Sequence, residues 1–70
     1  MSAAALPAEA RMGNDMARQF AHLPEADAVA KIADHIGRFW DPRMRTNLRA
    51  FAQTVPQALD PLILAVARTL

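Results

Sequence analysis

Two histidines, His22 and His35, and three threonines, Thr46, Thr54 and Thr69, are the residues of this 70-residue chain from which a catalytic set could start. A hydroxyl nucleophile needs a base within reach, and a metal needs ligands at a fixed spacing. Cysteine and tyrosine are absent, the single serine is Ser2, and no threonine lies beside a histidine. The histidines are thirteen residues apart and outside any H-E-x-x-H pattern. Asp34 and His35 are sequence neighbours, so on a helix they point about 100° apart. Glu25 and Asp27, two residues apart, diverge in the same way. The two glycines stand alone, so there is no phosphate-cradling loop. No catalytic, cofactor-binding or metal-binding residue is therefore expected, and the chain is read as a non-enzyme.

The chemistry that stands out is recognition. Arg38-Phe39-Trp40-Asp41-Pro42-Arg43-Met44-Arg45, with Arg49 one turn further on, joins the only tryptophan to four of the eight basic residues. Residues 1–34 hold three basic and five acidic side chains, and residues 35–70 hold five basic and two acidic. The positive charge is thus local to this corner. Three roles compete for it. Trp40 could be a core anchor, with Asp41 a cap and the arginines a solvated face. Arg38, Phe39, Trp40, Asp41, Pro42, Arg43, Arg45 and Arg49 could form a protein–protein hot spot, where Trp and Arg are enriched. Or the corner could be a helix-turn-helix with Arg45 and Arg49 on DNA phosphates. A net charge of +1 gives little counterion-release drive for the last.

Whatever their role, these residues must be positioned by helices. Pro7, Pro24, Pro42 and Pro61 each precede a stretch of helical period, as proline does at a first helical turn. Pro56 ends one. No alternating strand-type run occurs, and alanine, leucine and arginine favour helix. The expectation is an all-α fold, a compact domain of three to four helices. The first, from about Ala8 to His22, carries Met12, Met16, Phe20 and Leu23 on one face. Gly13 costs about 1 kcal/mol there relative to alanine, so Asn14 is an alternative start, as N-cap. Residues 1–11 are then read as a tail and 12–70 as the single domain.

The second helix, about Glu25 to Phe39, presents Val29, Ile32, Ile36 and Phe39. Beside that stripe run Ala26, Ala30, Ala33 and Gly37, a ridge low enough for another backbone to approach. Asp41-Pro42 opens the third, with Met44, Leu48, Phe51 and Val55. Asp60-Pro61 opens a short fourth, Leu62 to about Arg68, apolar nearly all round. A helix of that pattern is covered on more than one side.

Length and composition limit the rest. Hydrophobic residues make up 53% of the chain, but sixteen are alanine. A core of this size rarely supplies more than about 3–5 kcal/mol, and without cysteine no disulfide adds to it. A stabilising partner chain is therefore expected. The longest apolar run, Leu62 to Ala67, is far below the roughly 20 residues of a membrane span. The segment Met1 to Pro7 lacks the basic and apolar regions of a signal peptide. A cytoplasmic protein, bound neither to membrane nor to nucleic acid, is expected.

Specific motifs add to this. The stretches Asn14-Asp-Met-Ala-Arg-Gln-Phe-Ala and Ala33-Asp-His-Ile-Gly-Arg-Phe-Trp-Asp-Pro-Arg-Met-Arg, closed by Leu59-Asp60-Pro61-Leu62, resemble the delta subunit of NAD-dependent formate dehydrogenases. The resemblance runs over about residues 12–66. It implies an accessory subunit, without a cofactor of its own, of a cytoplasmic complex. In that complex a catalytic alpha subunit would hold bis-molybdopterin guanine dinucleotide, with molybdenum or tungsten, and iron–sulfur clusters. Beta and gamma subunits would carry FMN and further clusters and pass electrons to NAD. The role implied for the delta subunit is binding and stabilising the catalytic complex, or aiding its assembly and cofactor maturation. A small helical DNA-binding or regulatory protein is the alternative.

Overall fold

The computed structural model describes residues 6–70. Four α-helices follow one another: α1 Ala8–Gln19, α2 Glu25–Phe39, α3 Pro42–Thr54 and α4 Pro61–Ala67, with a single 3₁₀ turn, Pro56–Ala58, between the last two. Among the described residues there is no strand, and the fold is all-α. The radius of gyration, 11.4 Å, is that of a compact chain of this length, about 11 Å. None of the helices is long and apolar enough to cross a membrane.

Proline and aspartate set the boundaries by two devices. At α3 and α4 the aspartate is the N-cap and proline the first helical residue. Asp41 Oδ1 accepts from the Met44 N–H at 2.9 Å, and Asp60 Oδ1 accepts from the Leu62 N–H at 2.9 Å. Each satisfies an amide the helix leaves unpaired. At α1 and α2 proline itself is the N-cap, with no side-chain bond. Its carbonyl still starts the ladder, from Pro7 to Arg11 N–H at 3.1 Å and from Pro24 to Ala28 N–H at 2.9 Å. Pro56 ends α3 through the residue before it: Val55 is driven to φ −135°, ψ 60°, out of the α region, as a pre-proline residue is.

The first helix begins at Ala8 rather than at Asn14, and ends at Gln19 rather than near His22. Residues 8–11, read from the sequence as tail, are its first turn, and Ala10 is buried in the core. Residues 1–5 of that tail, with Ser2 and most of the segment weighed as a leader, lie outside the described residues.

The core draws on all four helices and the two turns between them. Ala10, Met16 and Ala17 meet Ile32, Ile36, Trp40, Leu48, Leu59, Ile63, Val66 and Ala67 in one cluster. The α2 and α4 helices share the most extensive packing, and α1 lies against both α3 and α4. On α1 the buried face is Ala10, Gly13, Met16 and Ala17, rotated from the expected stripe, and Met12 is exposed. The reason is close approach. A Cβ built on Gly13 would stand 3.2 Å from Ile63 Cγ2, so α1 meets α4 along small residues. The ridge foreseen on α2 is uncovered within this chain: Ala26, Ala30 and Gly37 are exposed.

Asn14 sits at the same crossing. Its Nδ2 donates to the Ala58 carbonyl at 3.1 Å, and its Oδ1 accepts from the Asp60 N–H at 2.9 Å. One amide thereby ties the middle of α1 to both backbone polar groups that lead into α4. Farther along, Asn47 Nδ2 donates to Glu9 Oε2 at 3.1 Å, joining α3 to α1.

Asn14→Asp keeps the acceptor but loses the donor, and sets a second carboxylate near Asp60. A loss of about 1–3 kcal/mol is expected in urea unfolding, with Asn14→Ala at least as severe. The glycines should behave oppositely. Nothing lies within 4 Å of a Cβ on Gly37, so Gly37→Ala should raise stability by roughly 0.5–1 kcal/mol. Gly13→Ala should fall short of that gain by the cost of displacing buried Ile63. Equal gains at both positions would contradict the close crossing.

Candidate docking surface

The corner between α2 and α3 separates its residues into two groups. Trp40 turns inward: it is 5% exposed and belongs to the core cluster. Its neighbour Phe39 turns outward and is 70% exposed. Phe39 was expected both in the buried stripe of α2 and at a partner surface; within this chain only the second position is open to it. It is the last residue of α2, so no following turn covers it. Its ring rests on that of His35, one turn earlier, with centroids 4.8 Å apart and planes tilted by 44°.

The polar residues of the corner divide likewise. Asp41 and Pro42 are occupied as cap and first turn of α3. Arg45 is half-buried, and its Nη1 donates to the Trp40 carbonyl at 2.6 Å. That carbonyl lies at the negative end of α2, where a cation is favoured. Arg45 is therefore a clasp across the turn, which takes away one of the two phosphate contacts of the DNA reading. Arg38 pairs with Asp34 at 3.1 Å on the exposed face of α2, a contact worth about 0–1 kcal/mol. Arg49 reaches Thr46 Oγ1 at 3.4 Å. Arg43 is exposed and makes no side-chain hydrogen bond among the described residues.

What remains outward is an aromatic pair, His35 and Phe39, on the same helix end as Arg38 and followed by Arg43. An exposed ring with arginines on the same helix end and on the next helix is a surface of the kind on which aromatic and arginine side chains are enriched. In the sequence His35 reads as a candidate metal ligand or a neighbour of Asp34, and its place under Phe39 is not apparent. The signal was the four-residue spacing, which stacks side chains on a helix. Among the described residues, no three His, Cys, Asp and Glu side chains come together. His22 is exposed on the turn after α1, and His35 is engaged by a ring.

Residues 10–67 match the family model described as NADH-dependant formate dehydrogenase delta subunit FdsD. The chain belongs to that family. The match takes in all four helices from the third residue of α1 onward, and so includes the α2–α3 corner, the Asn14 clamp and both Asp-Pro caps. The delta-subunit assignment makes the chain part of a formate dehydrogenase. No curated protein and no solved structure matches the chain.

Burial separates the two aromatics of the corner experimentally. Trp40→Ala should cost about 3–5 kcal/mol, enough to unfold a domain of this size, whereas Phe39→Ala should change stability by no more than about 0.5 kcal/mol. Circular dichroism with thermal melting reads both. A folded Trp40→Ala domain would show that the core does not rest on the indole.

Proposed function

We propose that this delta subunit is a non-catalytic accessory subunit of a cytoplasmic, molybdenum- or tungsten-dependent formate dehydrogenase. It docks on the catalytic alpha subunit of the complex, alongside the beta and gamma subunits. It stabilises the cofactor-loaded catalytic subunit or carries it through assembly. The bis-molybdopterin guanine dinucleotide, the iron–sulfur clusters, FMN and NAD belong in this reading to those larger subunits. No step of the formate reaction is assigned to this chain.

The observation that carries the reading is Phe39. A phenylalanine 70% exposed on a rigid helix end is costly in water, and aromatic and arginine side chains are the groups on which interfaces concentrate their energy. Arg38 precedes it and Arg43 follows the turn after it, both exposed. Trp40, Asp41, Pro42 and Arg45 support the surface from behind rather than touching the partner. The stabilising effect then follows from mass action, since a ligand that binds only the folded state holds it folded.

Co-purification of a tagged full-length chain from its native cell extract tests this. Recovery of a large molybdopterin-type subunit with flavin and iron–sulfur companions in fixed ratio is expected. Phe39→Ala, still folded, should lower affinity roughly tenfold. Recovery of the chain alone, or undiminished recovery with Phe39→Ala, would overturn the proposal. Binding to duplex DNA that falls steeply between roughly 50 and 200 mM salt would point to the nucleic-acid alternative.

A further inference from the structure

A concave surface lies between α3 and α4. It is a groove of about 400 Å³ whose floor is Ala52, Pro56, Leu64 and Leu70 and whose charged lining side chains are Arg49 and Arg68. No acidic side chain lines it. Arg68 has no side-chain partner among the described residues, and the only one of Arg49 is the long contact to Thr46. The volume falls within the range of sites that take a ligand or an anchoring side chain.

The groove also answers the pattern of α4. Ile63, Val66 and Ala67 are buried in the core, while Leu62, Leu64 and Ala65 are only half-buried. A helix apolar nearly all round is thus covered by its own chain on one side only, and Leu64 opens into the groove. Two other concavities among the described residues lack this combination. One holds Arg11 and Arg18, of which Arg18 pairs with Asp15 and Arg11 donates to the Leu6 carbonyl. The other has Glu9 as its only charge, already bound by Asn47.

We infer that this groove is a second docking site, and that its occupant is a segment of a formate dehydrogenase subunit carrying an aspartate or glutamate beside a large apolar residue. The apolar side chain covers Leu64 and Leu70, and the carboxylate lies between Arg49 and Arg68. Charge complementarity selects this occupant: two uncompensated guanidinium groups over an apolar floor favour an acid next to a hydrophobe and disfavour a neutral or basic segment. The inference rests on the delta-subunit reading above, and of the corner residues singled out in the sequence the groove takes only Arg49, so the subunit would be gripped at two places.

A photo-crosslinking residue placed at Gln53, which lines the groove and is exposed, tests it in the full chain assembled with its formate dehydrogenase. Tagged recovery and crosslink mapping are read from the same sample. The expected product joins residue 53 to a peptide of a larger subunit with Asp or Glu within two residues of Leu, Ile, Phe or Met. In parallel, Arg49→Gln with Arg68→Gln should weaken association by roughly tenfold, and Arg→Lys at both should restore part of it. Both arginines are exposed, so the melting point should not move. Association with a crosslink to a neutral or basic segment, to a second copy of this chain or to a bound fatty acid would overturn the groove assignment alone. Unchanged affinity of the double glutamine variant would do the same. Failure to associate with any formate dehydrogenase subunit would overturn the delta-subunit reading as well.

Discussion

The crossing of α1 over α4 is the constraint on which the rest of this small domain depends. Seven residues of helix cannot persist alone, because nucleation is costly and few bonds repay it. The α4 helix exists because its N-terminus is built twice over. Asp60 caps it with its own carboxylate, while Asn14 of α1 holds the Asp60 N–H and the Ala58 carbonyl just before it. Gly13 then lets the two backbones close, so that Ile63 fills the space a side chain would have taken. With α4 in place, Ile63 and Val66 complete a core that Ile32, Ile36 and Leu48 cannot close by themselves. Hydrogen bonding and packing are here not separate contributions: the amide of Asn14 can be satisfied only where the glycine permits contact.

The α2–α3 corner applies the same economy to its polar groups. Of four arginines and one aspartate, one arginine and the aspartate are spent on helix ends. Arg45 neutralises the carbonyl end of α2 at Trp40, and Asp41 satisfies the amide end of α3. Trp40 and Phe39 are adjacent at a helix terminus, where the fold buries the first ring and leaves the second in solvent. The exposed ring rests on His35, one helical turn earlier.

How much of this could be read beforehand depends on what each residue type signals. The Asp-Pro pairs and Pro56 act through local backbone geometry, so α2, α3 and α4 fall within about a residue of where their punctuation puts them. The Ile32/Ile36 and Leu48 positions follow from periodicity. The face of α1 did not, because Met12 and Phe20 outweigh Ala10, Gly13 and Ala17 in any count of hydrophobic size, while close helix contact rewards small size. Gly13 read alone is a helix defect; its purpose is visible only with Ile63 opposite. Asn14 looked like a cap because asparagine usually is one, and nothing local says that its partners lie more than forty residues away. At the docking corner the residue types were legible, but the division between those facing inward and outward needed the end of α2 to be located to the residue. Arg68 and the groove it borders were invisible, since Arg49 and Arg68 come together only through the packing of α3 on α4.

The separation of Asn14 from Ala58 and Asp60, 44 and 46 positions along the chain, has a consequence for synthesis. Until residues 58–67 have left the ribosome, the face of α1 lined by Ala10, Gly13 and Ala17 lacks α4, and α1 can pack only on α2 and α3 around an open core. A partner that recognises the finished corner and groove therefore meets them after this region has been translated.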